Sequence, residues 1–141
     1  MNKFMKNRTV VILTLLIISY PCFAQTTQKA EGDYISSGLR LVSFVSTVEK
    51  ARELAHKDIE EGNLFLQLQG GISPQVYDSD RIFEARYKVF YFDYGCIGPK
   101  DETAAAYSEV IFEHLDSLYG KKWRRQVRKD VLYFKKWKRK H

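Results

Sequence analysis

Two stretches of this chain, LQLQGGISP at residues 66–74 and YFDYGCIGP at residues 91–99, are built alike. In each, a run of strand-forming residues is halted by Gly-x-Ile, then Gly or Ser, then Pro. Glycine lets the backbone leave a strand at little steric cost, and proline, with no N–H, cannot continue the ladder. Each stop leads into residues that suit a helix start: Asp78, Ser79 or Asp80 after the first and Asp101 after the second. The order strand, stop, cap, helix therefore occurs twice. Strands joined through a helix are expected to be parallel, which puts both stops at the carboxyl ends of their strands, on one edge of a small sheet. The expected fold class is α/β, a small two-layer βα module with two or three mostly parallel strands and C-terminal helices.

The pattern around this unit fills in the remaining elements. LRLVSFV, residues 39–45, suits a short strand by its alternating Leu39 and Leu41, although Leu41, Val45 and Val48 also fall near helical spacing. A third strand is the reading adopted. Ser46 with Glu49 has the form of a capping box and opens a helix through Val48, Ala51, Leu54, Ala55 and Ile59, which Gly62 closes. LFLQLQ, residues 64–69, alternates, and KVFYFDY, residues 88–94, is aromatic and β-branched; both read as strands. Between them a helix should turn Ile82, Phe83 and Tyr87 inward. DETAAAYSEVIFEHLDSLYG carries Ala104, Tyr107, Ile111, Leu115 and Leu118 on one helical stripe and ends at Gly120, with a second helix from about Lys122.

The start of the chain bears on compartment. Lys3, Lys6 and Arg8 precede VVILTLLIIS, and Ala24 offers a small residue for cleavage. An apolar run of about 10 residues between a basic start and such a site is the pattern of a secretory signal peptide, against the roughly 20 residues needed to span a bilayer. Residues 1–24 are thus expected to be a leader, 25–38 a polar linker, and 39–141 a single domain with a basic C-terminal helix. The protein is expected to be periplasmic or secreted, the alternative being an N-terminal membrane anchor. Cleavage leaves Cys96 as the only cysteine, which excludes a disulfide framework. No CxxC pair, HExxH helix or GxxxxGK loop is present, and no cofactor or metal is implied.

Charge is divided along the chain. Residues 25–119 hold nine basic and sixteen acidic residues, whereas residues 120–141 hold eleven basic residues and Asp130 alone. Trp123, Val127, Val131 and Phe134, spaced 4, 4 and 3, draw one apolar face through that tail and are expected to anchor it as a helix. The residues that follow Phe134, KKWKRKH from Lys135, are expected to lie free of the face. Lys135, Lys136, Lys138, Arg139 and Lys140 are then candidates for contact with an anionic envelope surface or polymer. A leader for export argues against nucleic acid as the partner.

The strand-end edge is the other candidate site. Ligands of open parallel sheets lodge outside the carboxyl ends of the strands, and consecutive N–H groups of Gly-rich turns can cradle an anion. Gly70, Gly71, Ser73, Asp78, Asp93, Gly95, Gly98 and Lys100 would line it. Cys96 could serve there as a reactive thiol, for which it would need a histidine, a cation or a helix N-terminus to lower its pKa. The matching turn has Gly71 in that place, so the turn itself does not need a thiol. Glu109, Glu113 and Asp116 read as a solvated helix face.

FEARYKVFYFDYGC, together with LDSLYGKKWRRQVRKDV, resembles the small bacterial family named for its Phe-Glu-Lys-Lys-Tyr motif, the FEKKY domain. Phe83, Glu84 and Tyr87 match the motif, with Ala85 and Arg86 where the two lysines would stand. The resemblance runs from about Ala51 to Lys136 and implies one compact module without assigning an activity. Taken together, these features lead to the expectation of a non-catalytic binding or interaction module of the bacterial envelope; the alternative is a small enzyme that uses the strand-end edge with Cys96.

Overall fold

The computed structural model describes residues 38–141 apart from Ile72 and Pro74; the expected leader and residues 25–37 of the expected linker lie outside the described residues. Two strands, β1 (Leu64–Leu68) and β2 (Val89–Asp93), pair in parallel with Leu64 opposite Val89 and Leu68 opposite Asp93. Helix α3 (Asp78–Tyr87) connects them and packs on β2, as the repeated unit requires. The second stop leads into α4 (Asp101–Tyr119), which ends at Gly120 and lies against β1. Helix α2 (Val48–Glu60) runs beside α4.

Every residue of β1 is buried, including Gln67, despite the alternation of its sequence. The cause is that β1 is covered on all sides. One edge pairs with β2, and Leu132 N–H donates to Gln67 O at 2.9 Å along the other, so the C-terminal segment closes the edge. The Gln67 side chain turns toward α4 and donates to Ala104 O at 3.0 Å and Ser108 Oγ at 2.9 Å. Burying an amide is tolerable only with such partners.

Residues 39–45 are not a strand. Gly38–Leu41 form a short helix, α1, and Val42–Phe44 a 3-10 turn. Leu39 and Val42, three apart, are fully buried, whereas Leu41 is 44% and Phe44 86% exposed. A strand would have buried Leu39 and Leu41 together, so burial follows the helical spacing. The first described residue, Gly38, belongs to the domain rather than to the linker. A Cβ there would meet Leu54 O at 2.6 Å, and only glycine lets α1 approach α2 so closely.

The caps shift by a residue from expectation. Thr47, not Ser46, caps α2, accepting from Lys50 N–H at 3.2 Å. Asp80 acts from inside α3, accepting from Tyr77 N–H at 3.0 Å, and Asp101 stands in the first turn of α4 behind Lys100. Phe83 and Tyr87 are buried as expected, but Ile82 is 61% and Leu118 55% exposed.

The tail is not one helix. Gly120–Arg125 form a 3-10 helix, residues 126–133 follow an irregular path, and α5 spans only Phe134–Lys138. Tyr133 enters α5 from a left-handed φ of 63°, a break no continuous helix could contain. Trp123, Val127, Val131 and Phe134 are all buried nevertheless. Nor is the segment after Phe134 free: Trp137 is 5% exposed and packs on Phe112 at 5.1 Å between ring centroids.

Candidate functional site

The strand-end edge is held by its own carboxylate. Asp93, the last residue of β2, accepts from Gly70 N–H at 2.8 Å and from Gly95 N–H at 2.7 Å. The N–H groups that could have faced an anion thus already hold one belonging to the chain. Gly70 is required for this, because a Cβ there would stand 2.2 Å from Asp93 Oδ2. The structure therefore brings together Gly70, Asp93 and Gly95. Gly71, Ser73, Asp78 and Lys100 are exposed, Gly98 is half-buried, and no side-chain hydrogen bond or ion pair joins any of them to Asp93 among the described residues.

Beside this edge lies a hollow of about 130 Å³ whose walls include Asp80, Glu84, Tyr91, Asp93 and Arg128. A continuous tail helix would have turned Arg128 to solvent; it fills a structural clamp instead. Its guanidinium donates to Asp80 Oδ2 at 2.9 Å, to Gln75 O at 2.7 Å and to both oxygens of Asp130, and it lies between the rings of Tyr77 and Tyr91 at 4.9 and 5.6 Å. The Arg128 hydrogen bond holds Asp130 below the usual carboxylate range. Glu84 accepts from Tyr91 N–H at 2.8 Å, covering the outer edge of β2, and burial pushes its carboxyl up. Burial likewise raises the Tyr91 phenol. Each carboxylate of the hollow has a partner, so the arrangement ties α3, β2 and the tail together rather than presenting an unpaired acid or base. A sequence signal for it existed only in the short Arg128-x-Asp130 spacing.

Cys96 is exposed and forms no disulfide. His56 lies on α2 and His114 on α4, where burial first and then the neighbouring His56 lower the His114 pKa. Among the described residues, no hydrogen bond or ion pair connects either histidine to Cys96, and no group of three His, Cys, Asp or Glu side chains is placed to hold a metal ion.

The basic tail divides into two surfaces. Of its eleven basic side chains, Arg124 pairs with Asp116 and Arg128 with Asp80 and Asp130; the other nine reach no described Asp or Glu, although Lys121 donates to His141 O at 2.9 Å. Lys121, Lys122, Arg125 and Lys138 border one broad hollow, and Lys135, Lys138 and Arg139 border a second that shares Lys138. No acidic residue lines either. Lys136 and Lys140, one helical turn apart, border a different groove between α2, α4 and the C-terminus. The backbone beneath is fixed by Trp123, Phe134 and Trp137, whose rings lie 5.2 to 6.2 Å apart. The five residues expected at an anionic surface thus separate as Lys135, Lys138 and Arg139 on one side and Lys136 and Lys140 on the other, and the first set is joined by Lys121, Lys122 and Arg125.

Comparison with protein-family models, with curated proteins and with solved structures finds no significant match to this chain. No helix among the described residues is long and apolar enough to cross a membrane.

Proposed function

We propose that the chain is an exported, non-catalytic binding module that docks through the basic face of its C-terminal segment onto the anionic phospholipid surface of a bacterial envelope. The observation that carries this reading is that Lys122, Arg125, Lys135, Lys138 and Arg139 surround two adjoining hollows with no acidic residue in their walls. Self-neutralisation of the acidic body by the tail would have drawn these side chains onto carboxylates. Their backbone is instead anchored by buried aromatic residues, so little ordering is needed when an anion arrives. Each Lys or Arg close to an anionic membrane contributes about 1 kcal/mol, screened beyond roughly 8 Å at physiological salt. Five such charges suffice for reversible attachment, and the excess of acid elsewhere would orient the molecule with this face toward the surface.

The protein should sediment at low salt with vesicles containing phosphatidylglycerol and not with vesicles of phosphatidylcholine alone. High salt should release it. The triple variant Lys122→Glu, Arg125→Glu, Lys138→Glu should keep its melting temperature and lose the vesicle binding. Equal sedimentation of wild type and variant, or of the two vesicle types, overturns the membrane reading; binding to soluble polyphosphate but to neither vesicle transfers the face to a polymer. The export half of the proposal is read by intact mass. Exported material should begin at Gln25, and a protein that retained residues 1–24 would count against it.

A further inference from the structure

The basic face is divided in a way that charge alone does not require. Its first hollow opens over about 700 Å³ and takes Lys121, Lys122 and Arg125 from the 3-10 helix; its second, of about 510 Å³, takes Lys135 and Arg139 from the last helical segment. Lys138 borders both. Arg124 lines the first hollow too, but Asp116 accepts from its guanidinium at 2.8 Å, so that charge is met within the protein. The other six cations are exposed, and none pairs with a carboxylate among the described residues.

The two cationic groups are also held at a fixed separation. Lys122 adjoins Trp123 in the chain and Lys138 adjoins Trp137; the two indoles pack with centroids 6.2 Å apart, and Phe134 lies 5.2 Å from Trp123. Lys135 stands three and four residues before Lys138 and Arg139, so their stems rise from one side of the helical segment. The shared ammonium has a set place as well: Lys138 Nζ lies 5.8 Å from the centroid of the Phe134 ring, within the range of cation–π attraction. A headgroup with a single phosphodiester brings one negative charge, and in either hollow it leaves the cations of the other unmatched. Two separate headgroups could fill both hollows only if each gave up its own lateral freedom. When both phosphates belong to one lipid, the second reaches its hollow as an intramolecular event, at high effective concentration.

We propose that the two hollows together take one membrane lipid that bears two phosphate groups, one phosphate in each hollow, with Lys138 donating to both. This inference rests on the membrane-docking reading and narrows it from a charged surface to a class of headgroup. Lys122 and Arg125 hold the first phosphate and Lys135 and Arg139 the second, through charge-assisted hydrogen bonds. An ammonium has three donors, so one lysine can serve two anions at once.

Cardiolipin is the probe. Phosphatidylcholine vesicles carrying cardiolipin are compared with vesicles carrying twice the mole fraction of phosphatidylglycerol, so that phosphate and charge are matched. The full protein should bind the cardiolipin vesicles about tenfold more tightly. Lys138→Gln, and separately Lys135→Gln with Arg139→Gln, should bind the two vesicle types equally. Lys136→Gln with Lys140→Gln, which removes the same two charges from a different groove, should keep the preference. All of these side chains are exposed, so the melting temperatures should stay close to that of wild type. Glycerol 1,3-bisphosphate, which carries two phosphates without acyl chains, should release the protein from cardiolipin only in large excess over the exposed lipid. Equal affinity of wild type for the charge-matched vesicles overturns the two-phosphate proposal and leaves the membrane reading standing. A preference that survives in the Lys135, Arg139 variant, or disappears in the Lys136, Lys140 variant, overturns it as well. Release by equimolar bisphosphate overturns a lipid as the ligand, and failure to bind either vesicle type overturns both readings.

Discussion

Replacing Trp123 with Ala is expected to leave a protein that is largely unfolded or close to it under ordinary conditions. Trp123 is fully buried among Phe112, Phe134 and Trp137, with centroid distances of 5.9, 5.2 and 6.2 Å. Its indole N–H also holds Asp116, the carboxylate that receives Arg124. Truncating a buried Trp costs about 3 to 5 kcal/mol, a large share of the roughly 5 to 15 kcal/mol that holds a small domain together. Urea unfolding followed by circular dichroism should therefore show little or no folded baseline for Trp123→Ala, while Trp123→Phe keeps a cooperative transition. Deleting residues 135–141 should be nearly as damaging, because Trp137 closes the same cluster and is 5% exposed. A shift of about 4 to 8 °C per kcal/mol is expected for a domain of this size, so the truncation should melt well below the full chain. An unchanged melting temperature in either protein would mean that the aromatic cluster contributes little to stability.

The same tail shows where sequence patterns inform and where they stop. The spacing of Trp123, Val127, Val131 and Phe134 suggests a helix, and all four are buried, yet the backbone between Gln126 and Tyr133 is irregular. Apolar spacing reports that a residue seeks the core; it reports conformation only when nothing else orders the chain. Here Leu132 N–H is taken by the free edge of β1, and tertiary pairing overrides the local tendency. Residues 39–45 fail for a related reason. Alternation and helical spacing coexist in LRLVSFV, and the choice is made by the Asp58 carboxylate, twenty residues away, which accepts from the first N–H groups of α1.

The parallel pair, α3 and α4 were legible because their signals are local: glycine and proline stops, and long stripes of apolar residues. The candidate sites were less so. Asp93 could be placed at the strand-end edge from sequence, but not its turn back onto Gly70 and Gly95. The clamp around Arg128 joins residues 75, 80, 91, 128 and 130, a set no spacing rule connects. The division of the tail is different. Lys136 and Lys140 are four apart, and Lys135 stands three and four residues before Lys138 and Arg139, so helical spacing alone contained it.

The Asp58 carboxylate that decides the first turn also sets a test of how the domain responds to pH. Asp58 is fully buried and accepts from Gly38 N–H at 2.6 Å, Leu39 N–H at 3.0 Å and Tyr107 Oη–H at 2.6 Å. Asp58→Ala strands three donors at a buried site. At about 1 to 3 kcal/mol for each unsatisfied group, even the lower end totals about 3 kcal/mol, enough to threaten the fold. Burial pushes the Asp58 carboxyl above its ordinary value of 3.8, against the lowering influence of the Tyr107, Gly38 and Leu39 hydrogen bonds. The folded state therefore keeps this proton to a higher pH than the unfolded chain does. Its stabilising contribution is complete below the unfolded carboxyl's pKa and is lost as pH rises through the folded value. Asp116 and Asp130, whose pKa values are lowered, act in the opposite sense, but they are common to wild type and an Asp58 variant and cancel in the comparison. Asp58→Asn retains an acceptor and cannot titrate in this range. The stability difference between wild type and Asp58→Asn, read from urea midpoints across the carboxylate range and up to neutrality, should shift in favour of wild type as pH falls. A difference that stays flat, or that shifts toward the variant in acid, would mean that Asp58 releases its proton no later in the folded protein than in the unfolded chain.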